Sequence, residues 1–311
     1  MELFFIVNPK AGKAKRIWRQ LQRTLTVSYQ VHNTRAEGDA TVITKQLAQS
    51  NRPYLIIGVG GDGTMHEIVQ GALHAKNIII GYVPAGSGND FARAFPTFHH
   101  AHEIEQFMQQ VQPTIHTFDS GVMQVDDEVH CFVNNAGLGF DAYVATLVNQ
   151  SKWKRLFNHL RIGRFLYFFA VIRALLHYKT FSATITSDGK TIHYKDIWFI
   201  ALCNQPYFGG GMKVAPQAVP HDGYLQVVVV NKVSRLKLLL VFSSVFIGWH
   251  TFFKEVSIMQ ATTMAITITQ GDAPAHVDGE KLANQSVDAT ISGQIKPRCW
   301  QSVRFTANHH I

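Results

Sequence analysis

An aspartate enclosed by glycines, in Gly60-Gly61-Asp62-Gly63-Thr64, is where residue types and spacing in this sequence first point to chemistry. Glycines let the backbone turn in conformations closed to other residues and let a ligand approach the main chain, while free N–H groups at a helix start favour an anion. A nucleotide phosphate suits that description. A carboxylate repels phosphate unless a divalent metal or a transferable proton lies between them, so Asp62 reads as a metal-side or proton-handling residue. The plainer alternative is a sharp turn without a ligand. Residues 81–94 repeat the pattern, with Gly86-Ser87-Gly88 ahead of Asn89 and Asp90, either of which is placed to cap the next helix. A third turn, Asn8-Pro9-Lys10-Ala11-Gly12-Lys13, follows the first apolar stretch. It is not a Walker loop, because Ala14 follows Lys13 and no glycine stands five positions before Gly12.

The elements around these turns are legible as strands and helices. Residues 3–7 and the run Leu55, Ile56, Ile57, Val59 read as buried strands, and Ile17, Trp18, Leu21, Leu25 and Met65, Ile68, Val69 fall at helical spacing. A second strand is expected at Val27–Val31 and a second helix around Val42, Ile43 and Leu47. Alternation of strand and helix to about residue 120 predicts an α/β domain, a doubly wound parallel sheet covered on both faces. Ligands of such sheets sit at the carboxyl ends of the strands, where all three turns fall. From about Thr117 the pattern changes to short strands, including Phe118–Val125 and Val129–Ala136. The expected division is 1–120 for the α/β domain and 121–295 for a mostly β sandwich or flattened barrel, with residues from about 296 to 311 returning to the first.

The chain has 311 residues, 46% of them apolar and 16% charged, and a formal net charge of +8, which attracts nucleotides, nucleic acid or anionic membrane alike. Cys131, Cys203 and Cys299 lie far apart and outside metal-ligand spacing, which favours reduced thiols and a cytoplasmic setting. The N-terminus lacks the basic start and long apolar core of a signal peptide, and neither long apolar run, at 165–172 or from Leu238, reaches membrane-spanning length. Between Ser151 and Lys179, basic residues such as Lys152, Lys154, Arg155 and Arg161 interleave with Trp153, Phe157, Phe165 and Tyr167. That composition suits either a helix at an anionic membrane surface or a helix covering the β domain. No nucleic-acid module accompanies it, so nucleic acid is not an expected partner. The apolar segment Leu236–Phe253 could also reach a membrane, a plain core helix being the simpler reading.

Taken together, Gly-Gly-Asp-Gly-Thr at 60–64 and Pro-Ala-Gly-Ser-Gly-Asn-Asp-Phe-Ala-Arg at 84–93 resemble the catalytic region of the diacylglycerol kinase and sphingosine kinase family of lipid kinases. The opening Asn8-Pro9 turn, the run Asn134–Ala142, Gly209–Met212, Asp222-Gly223 and Asp278-Gly279-Glu280 extend the resemblance over nearly the whole chain. It implies an NAD kinase- or phosphofructokinase-like first domain, ATP and Mg²⁺ as cofactors, and transfer of the γ-phosphate to the hydroxyl of a lipid alcohol, diacylglycerol first. It also implies a peripheral membrane location, and leaves a homodimer open.

By the same resemblance, Asn8, Lys13, Thr34, Gly60, Gly61, Gly63, Thr64, Glu67, Gly86, Ser87 and Asn89 border the nucleotide. Asp278 is favoured as the base that takes the acceptor proton, with Asp62 as organiser of metal or nucleotide and Glu280 supporting the cluster; the opposite assignment of base to Asp62 stays open. Asp222, with the carbonyls of Val219 and Tyr224, is either a structural Mg²⁺ site or only an Asp-Gly turn. His66 and Gln70 stand where asparagines are frequent in the family, which leaves the acceptor class open. The rivals are an NAD kinase and a non-catalytic lipid-binding protein of the same fold. The spacing Gly137-x-Gly139-x-x-Ala142 superficially fits a dinucleotide fingerprint but falls among β segments and is rejected.

Overall fold

The computed structural model describes residues 1–50, 52–125, 128–150, 171–285, 290–294 and 300–303. Residues 151–170 of the basic aromatic stretch 151–179 therefore lie outside the described residues, while Val171, Ala174, Leu175 and Tyr178 pack with Trp198 of the β domain.

The first domain alternates β1 (Glu2–Val7), α1 (Ala14–Thr24), β2 (Gln30–Asn33), α2 (Asp39–Gln49), β3 (Tyr54–Gly60), α3 (Asp62–Ala72) and β4 (Ile78–Pro84). A short α4 (Phe91–Ala94), α5 (Ala101–Gln109) and β5 (Ile115–Phe118) follow. β2, β1, β3 and β4 pair in parallel in that order. Period-two side-chain alternation decides which helix covers which face. Leu3, Phe5 and Val7 of β1 pack with Trp18 and Leu21 of α1 and with Ile104 and Phe107 of α5. Phe4 and Ile6 pack on the other face with Met65, Ile68 and Val69 of α3. β3 is buried along its whole length, and each of its Leu, Ile and Val side chains contributes roughly 1.5–3 kcal/mol on leaving water.

The second domain runs through β6 (Gly121–Val125), β7 (Glu128–Phe132), β8 (Asn135–Gly139) and α6 (Phe140–Gln150). It continues with β9 (Phe181–Ser187), β10 (Lys190–Cys203), β11 (Tyr207–Phe208), β12 (Met212–Lys213), β13 (Leu225–Asn231) and α7 (Arg235–Ser244). Then come β14 (Val256–Ala261), β15 (Thr263–Gln270), β16 (Ala273–Val277), β17 (Glu280–Gln285) and β18 (Thr290–Gln294). These strands pair antiparallel. β10 binds the structure together: its first half pairs with β9, its register shifts after Tyr194, and its second half pairs with both β8 and β13. Finally β19 (Trp300–Val303) returns to the first sheet between β4 and β5.

Two expected strands are each divided. Phe118–Val125 is split at Asp119-Ser120, where the chain leaves β5 in one sheet for β6 in the other. Val129–Ala136 is split at Val133-Asn134, because the backbone N–H groups there are claimed by a carboxylate rather than by a neighbouring strand. Gly137 sits within β8 of an antiparallel sheet, which agrees with rejecting the dinucleotide fingerprint. Among the described residues no helix is long and apolar enough to cross a membrane.

Candidate active site

The three glycine turns meet at the carboxyl ends of β1, β3 and β4, and they meet backbone to backbone. A Cβ on Gly86 would lie 2.6 Å from the Cα of Gly61, and one on Gly12 would lie 2.5 Å from the carbonyl of Ala85. Lys13 N–H donates to that same carbonyl at 2.8 Å. No larger residue fits either contact, which is the physical reason for the glycines. Asn8 ties the first turn to the second through Nδ2 to Thr64 Oγ1 at 3.1 Å. Thr34 is held by its N–H to the carbonyl of Val7, and Glu67 accepts the N–H of Ala40 at the start of α2.

Above these turns lies a cavity of about 790 Å³. Its α/β wall carries Asn8, Lys10, Thr34, Arg35, Asp62 and Glu67 together with Gly61, Gly63, Gly86 and Ser87. Its β wall carries Asn134, Asn135, Tyr207, Phe208, Gly210 and Asp278. Three expected nucleotide residues stand elsewhere. Lys13 is exposed at the start of α1 and outside the lining, where Lys10 and Arg35 supply the positive charge instead. Gly60 is buried behind the turn, against the Thr64 side chain. Asn89 braces the Gly86-Ser87-Gly88 turn from behind, accepting from Gly86 N–H and from the Tyr82 hydroxyl through Oδ1.

Asp90 stands at the N-cap of α4, but no side-chain hydrogen bond from it caps the helix. Phe91 N–H donates instead to Asp62 Oδ1 at 2.9 Å, and Asp90 reaches across to the second domain, where Gly210 N–H donates to its Oδ2 at 2.7 Å. Asp62 lines the cavity, and among the described residues no hydrogen bond engages its Oδ2. Burial first, then the negative charge of Asp90 and Asp278, hold its carboxyl above the ordinary carboxylate range against the N–H of Phe91.

Asp278 is in the opposite condition. It sits at the first position of the two-residue turn between β16 and β17, with φ of 47° followed by Gly279 at 87°, the conformation that Asp-Gly hairpins favour. Its carboxylate accepts N–H groups of Val133 at 2.7 Å, Asn134 at 2.8 Å and Asn135 at 3.0 Å, and His66 Nδ1 donates to it at 2.6 Å. The side chain is only 2% exposed. Burial alone would raise its proton affinity, but His66 and the backbone N–H groups outweigh burial and leave the group below the ordinary range. A carboxylate so committed has little basicity left, which counts against the expected role of base. His66 comes from α3, so the pair joins the two domains. Burial lowers the proton affinity of His66, while Asp278, Glu280 and Glu67 together raise it further. Glu280 lies beyond the cavity lining, its carboxyl pushed up by partial burial and by Glu37, Asp278 and Glu67 against the pull of His66.

Sequence reasoning passed over a second buried pair. His276 Nε2 lies 3.1 Å from Asp141 Oδ2 and its ring stacks on Phe208 of the cavity wall at 5.3 Å. A Cβ on Gly137 would strike both partners of the pair.

The expected Mg²⁺ loop satisfies itself. Asp222 Oδ1 accepts Tyr224 N–H at 2.9 Å in an Asx turn, and the Val219 carbonyl already accepts the N–H groups of His221 and Asp222. Asp119 Oδ2 takes the N–H of Gly223. Among the described residues no group of three His, Cys, Asp or Glu side chains converges on one point. The turn thus engages Asp222 Oδ1 and the Val219 carbonyl with its own N–H groups.

Comparison with known proteins agrees with this geometry. Residues 2–123 match the diacylglycerol kinase catalytic domain, and residues 134–302 match the YegS C-terminal NAD kinase beta sandwich-like domain. The chain is 32% identical to the Bacillus subtilis protein named "Putative lipid kinase YtlR" over 89% of its own length and 92% of that protein. The chain belongs to the diacylglycerol kinase family of lipid kinases. A solved diacylglycerol kinase from Bacillus anthracis shares the fold of this family member across 98% of its chain and 97% of the other, with a TM-score of 0.65 and 19% identity. Yeast NADH kinase complexed with NADH shares it more distantly, over 99% of this chain and 84% of that one, at TM-score 0.56 and 10% identity.

Proposed function

We propose that this lipid kinase transfers the γ-phosphate of Mg-ATP to the hydroxyl of a membrane lipid alcohol, diacylglycerol giving phosphatidic acid being the reading the family favours. The observation that carries it is the shared cavity: the glycine turns on one wall, a β-domain wall opposite, and Asp62 between them with one carboxylate oxygen uncommitted. Polyphosphate rests on the backbone N–H groups of the turns, with Lys10 and Arg35 offsetting its charge, and Mg²⁺ arrives with the nucleotide. Asp62 takes the acceptor proton as the lipid oxygen bonds to Pγ. The bond from Pγ to the bridging oxygen breaks, and ADP leaves with that electron pair. A carboxylate raised in proton affinity is better matched to this task than one held low, so the base is assigned to Asp62. Asp278 and His66 hold the two walls in register. Asn8, Thr34, Thr64, Glu67, Gly86 and Ser87 border the nucleotide.

The likeness to NADH kinase supports a second reading, phosphorylation of NAD, at the level of fold. One assay separates the two. Labelled γ-phosphate from Mg-ATP is followed into the organic phase with micelles of several lipid alcohols, with NAD in a parallel tube. Labelled lipid that disappears in Asp62→Asn supports the kinase and names its acceptor. Labelled NADP would move the protein to the second reading, and transfer to neither acceptor, with nucleotide bound, would leave a binding protein.

A further inference from the structure

The segment after β13 places apolar residues on both of its sides. Leu238, Val241 and Val245 point inward and pack with Met212, Val214 and Val230. Leu236 and Leu240 of α7, then Phe246, Ile247, Trp249 and Phe252 of the 3₁₀ turns Val245–Ile247 and Trp249–Phe252, point outward, with Leu236 81%, Trp249 64% and Phe252 84% exposed. A contiguous exposed apolar face marks a surface for a partner or for lipid, and the outward half of this segment has no core to enter.

We propose that this face, Leu236 to Phe252, docks on an anionic lipid bilayer. Charge selects that occupant over a second copy of the chain. From Leu225 to Glu255 the sequence holds Lys232, Arg235, Lys237 and Lys254 against a single acid, Glu255, which pairs with Lys237, and Lys232 and Lys254 are exposed at either end of the apolar segment. Aromatic and aliphatic side chains in the interfacial layer with cations toward the headgroups are the pattern of a peripheral anchor. A symmetric contact between two such faces would instead bring like charges together.

The face is also coupled to the cleft. Buried His250 contacts the carbonyl of Val214 at 2.8 Å, and Gly248 lies against Pro216. The chain that reaches Val214 and Pro216 runs on from Tyr207, Phe208 and Gly210, which line the cavity. Docking there brings the bilayer to the domain that carries the β wall of the cavity. This purpose rests on the lipid-acceptor reading; the docking itself does not.

The test is sedimentation of the full chain with phosphatidylcholine vesicles and with vesicles of equal parts phosphatidylcholine and phosphatidylglycerol. The wild type is expected to bind the anionic vesicles, and Leu240→Ser, Phe246→Ser and Trp249→Ser combined to weaken that binding about tenfold or more. Phosphorylation of a short-chain diacylglycerol dispersed in water should stay within about twofold of wild type. Should the triple variant misfold, brominated lipids serve instead: they are expected to quench wild-type fluorescence more than that of Trp249→Phe. Vesicle binding unchanged by the substitutions, equal quenching in both proteins, or a wild-type dimer that the substitutions dissociate without any vesicle binding would overturn the proposal. Vesicle binding by a wild type that transfers no phosphate would support the docking face while removing the kinase reading.

Discussion

Two aspartates of one cavity differ because of what surrounds their oxygens. Asp62 keeps an oxygen uncommitted at the joint between two turns, so Asp62→Asn should leave nucleotide binding intact and slow transfer by about 10²–10⁴-fold. Single-turnover kinetics with bound ATP would measure this, and near-normal turnover would sink the base assignment. Asp278 fills both oxygens with donors from His66 and from the broken strand at 133–135. An asparagine there sets an NH₂ group against N–H groups, and Asp278→Asn is expected to cost about 3–5 kcal/mol of stability. Urea unfolding would show it as a lower midpoint. Loss of activity in that variant is then a structural effect, to be separated from catalysis by the nucleotide-binding assay.

At the scale of elements, the turns work because they touch. Gly86→Ala places a methyl group 2.6 Å from the Gly61 backbone, with no side chain to yield, so one turn must move off the other. Nucleotide binding should weaken by about tenfold or more, with the strands beneath unaffected in circular dichroism.

Across the whole molecule, the domains meet through Asp90 with Gly210 and through His66 with Asp278. The second contact makes stability depend on pH in a stated direction. His66 is raised above its ordinary 6.5, so its contribution is complete below that value and is lost as pH rises through the raised one. Asp278 is depressed below 3.8, so its contribution is present above that value and is lost as pH falls through the depressed one. Between these limits the pair is intact. Melting temperature of wild type minus that of His66→Asn, followed from pH 6 upward, should shrink toward the alkaline side; a difference constant with pH would refute the ion pair.

Read from the chain alone, the α/β alternation, the three glycine turns and Asp62 were all accessible, because strand burial, glycine geometry and helix starts are written in residues close together. The change to antiparallel strands was equally local. What the tertiary structure decided is everything that depends on partners far along the chain. Asp278 meets Val133 across 145 positions and His66 across 212, and no spacing rule joins residues so distant. The identical carboxylate chemistry of Asp62 and Asp278 in sequence becomes opposite proton affinity in space, since hydrogen-bond donors and burial set it. Lys10 and Arg35 displaced Lys13 at the cleft for the same reason: a side chain's direction follows from the turn it leaves, and turns are positioned by packing. Likewise the apolar run after β13 reads as core in composition, and only the packed β domain decides that one side of it remains in water.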